Sequence, residues 1–244
     1  MGIGAVWIWM LSTAQADPLP SGQYGMYLKT ATHSHVPVLG KLPGASVTWL
    51  SLEILTTPEG TEMVQTTCVS TMEGAGERAS VRLSEGFLDA LPVKSTPLQW
   101  HEEGGSWRLS ADLGVEHIGY DPALTDLPDD PDAPGVVDFD GDGNPGATVI
   151  VTIPLLGEIE LYIAQRAHST LAGTLLDDGS LTGTVASLSL AQNTLDATNP
   201  LMRMSPDMSL DPERTHWWIV PVDSGECEGL VETMCSDHRA GPGC

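Results

Sequence analysis

Long stretches of this chain alternate apolar and polar side chains with a period of two, and nothing else in it constrains the fold as tightly. Thr48, Leu50, Leu52 and Ile54 alternate with Val47, Trp49, Ser51 and Glu53. Tyr24, Met26 and Leu28 do the same, as do Val149, Val151 and Ile153. The cleanest run sets Ile159, Leu161 and Ile163 against Glu158, Glu160 and Tyr162. Successive strand side chains point to opposite faces, so these segments are expected to be half-buried antiparallel strands.

Turn chemistry divides the strands. Leu155-Leu156-Gly157 separates the run ending at Ile153 from the one starting at Glu158. Asp177-Asp178-Gly179-Ser180 is a hairpin signal between residues 171–176 and 181–190. Within the second of these the apolar phase slips by one residue, from Leu181 and Val185 to Ala186, Leu188 and Leu190, which predicts a β-bulge. His101-Glu102-Glu103-Gly104-Gly105 reads as a polar hairpin tip. One short helix is expected over residues 84–91, with Ser84 as its cap and Pro92 as its stop. The Pro- and Asp-rich segments 127–135 and 199–214 read as loops.

Many strands with little helix predict an all-β protein, an antiparallel meander closed into an up-and-down, lipocalin-like barrel, with a sandwich as the alternative. Closure is favoured because it removes the exposed edges of a long meander. A barrel of about eight strands can hold one small apolar ligand or be filled by its own side chains.

Residues 138–146 read Asp-Phe-Asp-Gly-Asp-Gly-Asn-Pro-Gly. Asp138, Asp140 and Asp142 stand at alternate positions, Gly143 allows a sharp turn, and the carbonyl of Asn144 completes a set of oxygen donors suited to Ca²⁺. The loop resembles the calcium loops of EF-hands and, more closely, those of integrin-type FG-GAP repeats. Where an EF-hand carries its bidentate Glu this chain has Val149, and where an FG-GAP loop carries Asp it has Gly146. A further carboxylate would therefore come from elsewhere, with Asp129, Asp130 and Asp132 nearest in sequence. Neither family's fold is implied. More broadly the chain resembles uncharacterised exported bacterial β-rich proteins that carry a single D-x-D-G-D-G-x-P-G loop, which implies an architecture and no chemistry.

An apolar run over residues 2–11, followed by Ala14-Gln15-Ala16, fits a secretory signal covering residues 1–16, with a buried N-terminal strand as the alternative. Export to the periplasm, cell surface or medium follows. Residues 17–226 would form a single barrel-like domain and residues 227–244 a cysteine-containing tail. Four cysteines permit three pairings. Cys68–Cys227 with Cys235–Cys244 is favoured, and a Cys227–Cys235 pair is the main rival. No C-x-x-C spacing suggests zinc.

Thirty-three acidic against ten basic residues leave a net charge of −23, which argues against nucleic acid and anionic membranes as partners. No later segment approaches the ~20 apolar residues of a membrane span. His33-Ser34-His35 puts two imidazoles on one strand face, and a surface pair of this kind is more often solvated than metal-bound. Trp217-Trp218 puts one indole on each face of a strand. Sequence motifs for nucleophilic catalysis are absent. The expectation is a calcium-stabilised binding protein, the ligand an apolar small molecule, or a structural role. Two alternatives remain: a secreted hydrolase assembling a Ser or carboxylate with His101, His117 or His168, and a purely structural envelope protein.

Overall fold

The computed structural model describes residues 18–36, 40–73, 79–154 and 156–236. Eleven strands form one antiparallel sheet: β1 (Gly22–Val36), β2 (Gly40–Thr57), β3 (Gly60–Glu73), β4 (Ser80–Leu83), β5 (Lys94–Glu103), β6 (Ser106–Ile118), β7 (Ala147–Ile153), β8 (Gly157–Leu175), β9 (Leu181–Ala197), β10 (Asp207–Leu210) and β11 (His216–Pro221). The expected helix is present as α1 (Glu85–Ala90), and a second one, α2 (Leu230–Ser236), lies in the segment read as a tail. A 3-10 turn at Pro200–Met202 and β10 interrupt the stretch 199–214 that reads as loop, because Met208 and Leu210 alternate with exposed neighbours over too few residues to stand out.

Eight strands close a ring in the order β1-β2-β3-β5-β6-β8-β9-β11 and back to β1. It is not a regular barrel. β3 pairs with β5 over Thr61–Gln65 but with β4 at Met72. β8 pairs with β7 up to Ile163 and with β6 from Gln165 onward. The hairpin β5–β6 and the pair β4–β7 thus fill the same gap between β3 and β8 at two heights. On the other side β11 and β10 divide β1 in the same way. The result is a tube of two tiers, with β1, β2, β3, β8 and β9, of 14 to 19 residues each, running through both. The slip predicted in β9 is a bulge, since Thr170 faces Ser187 while Leu171 faces Val185, skipping Ala186.

The lower tier is filled. Met26, Leu52, Ile54, Met63, Leu171, Leu181 and Ile219 point inward and are fully buried, and Leu19 packs among them. Trp217 completes the plug. Its ring lies on the cross-strand pair Gly173–Gly183, where a Cβ on either glycine would come within 2.4 Å of the indole. The indole N–H donates to the Thr184 carbonyl at 2.9 Å. Trp218, one residue on, faces outward as the alternation requires. It joins Tyr27 and Trp49 in a second cluster that Leu230 and Met234 of α2 cover.

The disulfide Cys68–Cys227 fastens this outer layer to β3, which is the favoured sequence pairing. Cys235 is not free, and Cys244 lies outside the described residues, as does the signal-like segment 1–16. Among the described residues no helix is long and apolar enough to cross a membrane.

Candidate functional site

The acidic loop sits between β6 and β7 and is organised by its own carboxylates. Asp138 accepts backbone N–H groups from Gly141 (2.8 Å), Asp142 (3.2 Å) and Gly143 (2.9 Å). Asp142 accepts the Asn144 N–H at 2.8 Å and the Thr148 hydroxyl at 2.6 Å. Gly143 has φ +87°, the left-handed turn its position demands. Burial pushes the Asp142 carboxyl up, but the bonds from Thr148 and Asn144 outweigh it and hold the group below its ordinary range.

Oxygens of Asp138, Asp140 and Asp142 all lie within 4.8 Å of one another. Ca²⁺ binds oxygen at about 2.3–2.6 Å, so two donors on opposite sides of one ion stand roughly 5 Å apart, and this spacing fits a shared ion. The three carboxylates therefore stand close enough to hold a metal ion. Asp140 is half-buried. Its Oδ2 accepts the Thr148 N–H at 3.0 Å and the Ser84 hydroxyl, while its buried Oδ1 has no hydrogen-bond partner. An unpaired buried carboxylate oxygen is costly in protein alone and is satisfied by a cation. Asp129, Asp130 and Asp132 do not belong to this group among the described residues.

Helix α1 lies directly on the loop. Gly86 approaches the Asp140 carbonyl so closely that a Cβ there would stand 2.1 Å from it, and the Phe87 and Phe139 rings meet at 5.5 Å. The other side of Phe87 faces a chamber of about 470 Å³ that occupies the upper tier of the tube. Its volume lies in the ~300–1,000 Å³ range of small-molecule sites. Val81, Leu83, Val149, Val151, Leu161 and Ile163 give it an aliphatic side, whereas β1, β2 and β3 contribute its Thr and Ser hydroxyls among apolar neighbours. Lys94 and Glu116 form an ion pair where β5–β6 diverges from β4–β7, and Gln165 faces Gln192 across β8 and β9. So the interior is filled below and hollow above. The chamber was invisible to periodicity because its polar side breaks the apolar alternation. The inward positions Thr30, Thr32 and Ser34 were the available signal.

The histidines are dispersed. His33 and His35 lie on the outer face of β1, opposite in phase to the lining residues Thr32 and Ser34, and His33 pairs with Asp211 at 3.2 Å. His101 stands near the β5–β6 tip, where Gly104 and Gly105 both have positive φ. His117 packs its ring on Tyr120. His168 meets Asp112 at 2.7 Å on the exposed outer wall. Ser189 is its cross-strand neighbour, but no hydrogen bond joins the two among the described residues, and none of the three residues lines the chamber. No family model, curated protein or solved structure matches this chain.

Proposed function

We propose that this is an exported binding protein whose upper chamber holds a small, largely apolar molecule and whose Asp138–Asp142 loop is stabilised by Ca²⁺. The observation that carries the reading is the hollow upper tier in a tube whose lower tier is packed solid. A purely structural ring has no need to leave about 470 Å³ unfilled, since voids in cores are destabilising. Asp138, Asp140, Asp142 and the Asn144 carbonyl would hold the ion, with water completing its shell. Bound there, Ca²⁺ would cancel repulsion among the carboxylates and order the loop. The Cys68–Cys227 bond supports an oxidising compartment, as does the Ala14-Gln15-Ala16 stretch.

The test is uptake of the neutral dye N-phenyl-1-naphthylamine by the full chain. Saturable one-to-one binding, lost in Ala167→Trp with the melting temperature retained, is expected because Ala167 lines the chamber. Failure of the dye to saturate any site, together with a native mass spectrum free of co-purified small molecules, would sink the reading.

A further inference from the structure

We infer that the occupant of the chamber is an uncharged, facially amphipathic molecule, with hydrocarbon along one face and hydroxyl or carbonyl groups along the other. This rests on the ligand-binding reading above and specifies the chemistry of that same site.

The upper tier runs β1-β2-β3-β4-β7-β8-β9, with β10 beside β1 and lying against β9. In this order of eight, β1 and β2 stand across the chamber from β7 and β8. The first wall carries its hydroxyls on Thr30, Thr32, Ser34, Ser46 and Thr48, with Leu28 and Leu42 apolar at its two ends. The second is aliphatic at Val149, Val151, Leu161 and Ile163 and turns polar further along β8, at Gln165 and Ser169. The hydroxyl row on β1 spans four residue steps, about 13 Å at ~3.3 Å per residue, and over the upper tier it stands opposite the aliphatic stretch of β7 and β8. Thr48 shares a hydrogen bond with Ser70 at 3.3 Å, but the Thr30, Thr32 and Ser46 side chains make none among the described residues. Covered by hydrocarbon, those hydroxyls would be stripped of water and left unpaired, which is the expensive case. A ligand that fits the upper tier therefore carries its polar atoms along the edge that faces β1 and β2, and hydrocarbon along the edge that faces β7 and the start of β8.

Charge narrows the class further. Three charged residues reach the lining, and each is paired: Glu73 with Lys29 at 2.6 Å, and Lys94 with Glu116. Among the described lining residues no cation is left for a carboxylate or phosphate, and the net charge of −23 repels anions at a distance. A fatty-acid anion fails twice, since its chain would lie against the hydroxyl wall and its head would find no partner.

The test compares three probes by displacement of N-phenyl-1-naphthylamine from the full chain in Ca²⁺ buffer. Methyl cholate carries all its hydroxyls on one face, methyl cholanoate has the same skeleton without them, and laurate is an anion with a plain chain. Methyl cholate is expected to displace the dye at a concentration at least about tenfold below methyl cholanoate, because a single unmade buried hydrogen bond is worth roughly that factor. Laurate should be weakest. Thr30→Val combined with Thr32→Val should abolish the preference for methyl cholate while methyl cholanoate still displaces the dye. Equal or better displacement by methyl cholanoate or laurate overturns the inference but leaves the chamber a binding site. A dye that never saturates overturns both.

Discussion

The Ser84 hydroxyl donates to Oδ2 of Asp140, so the residue that opens α1 is engaged with the acidic loop instead of capping its own helix. Ser84 also donates its backbone N–H to the Thr148 carbonyl at 3.2 Å, just where the loop becomes β7. Asp140 therefore joins three elements: the loop, the first turn of α1 and the first residues of β7. Because Phe87 of α1 lines the chamber, the state of the loop bears directly on the chamber wall.

Replacing Asp140 with Ala should mimic removal of the ion. The Ser84 hydroxyl and the Thr148 N–H would each lose an acceptor, at about 1–3 kcal/mol for a buried unsatisfied group. At roughly 2–4 °C per kcal/mol for a chain of this size, the melting temperature should fall by several degrees. EDTA should lower the wild-type transition similarly and leave Asp140→Ala unchanged. Overlaying wild-type curves with EDTA and with Ca²⁺ would show that no ion stabilises the loop.

Gly86→Ala separates the helix from the loop. Its Cβ would lie 2.1 Å from the Asp140 carbonyl oxygen, a backbone atom that cannot step aside cheaply. Displacing α1 should weaken uptake of N-phenyl-1-naphthylamine severalfold while the buried Trp217 signal in near-ultraviolet dichroism persists. Unchanged dye affinity would mean that α1 does not form part of the binding wall.

The filled tier makes a complementary demand. In Gly183→Ala the new methyl would meet the Ala172 carbonyl at 2.1 Å and the Trp217 ring at 2.4 Å. Overpacking of this kind costs about 1–3 kcal/mol. The urea midpoint should drop accordingly and the Trp217 dichroism should change, with the outer Trp49–Trp218 cluster little affected. A midpoint equal to wild type would show that the plug yields without strain.

Periodicity was a reliable guide wherever a strand has one dry and one wet face. The run 159–163 is β8 at its most regular, and the phase slip near Ala186 is a true bulge. It was blind to three things. Closure depends on pairings between distant segments such as β1 with β11, which no local window contains. The short strands β4 and β10, four residues each, carry too few alternations to register. α2 has just two buried side chains, Leu230 and Met234, and takes its place from the disulfide at Cys227 and the aromatic surface beneath it. The Asp cluster was legible because its spacing is local, while Ser84, its partner from 56 residues away, was legible only as a helix cap.

Reduction of Cys68–Cys227 should release α2 before the tube opens. The bond closes 159 residues, and losing such a crosslink costs about 2–5 kcal/mol in small exported domains. Met234 packs against Gly25, where a Cβ would stand 2.4 Å from its sulfur, so the helix seat is shaped to that side chain. Reduced protein, or Cys68→Ala combined with Cys227→Ala, should show red-shifted tryptophan fluorescence from Trp49 and Trp218 while far-ultraviolet strand signal is kept. Simultaneous loss of both signals would contradict the outer-layer role assigned to α2.

At high pH the tyrosines should govern stability. All four are held above the ordinary value near 10: Tyr24, Tyr27 and Tyr120 chiefly by burial, and Tyr162 by burial and then by the Glu160 carboxylate, which together push it to about 12. The Tyr162 hydroxyl donates to Glu160 at 2.9 Å, a bond that phenolate cannot make. A raised folded-state value means the native state binds these protons more tightly. Their contribution is therefore complete below pH 10 and is lost as pH climbs toward about 12. Phenolate absorbance should rise later in native protein than in urea-unfolded protein, and Tyr162→Phe should flatten the alkaline decline in the urea midpoint. Coincident native and unfolded titrations would show that the phenols are free in the fold and that the Tyr162 hydroxyl is not bound to Glu160.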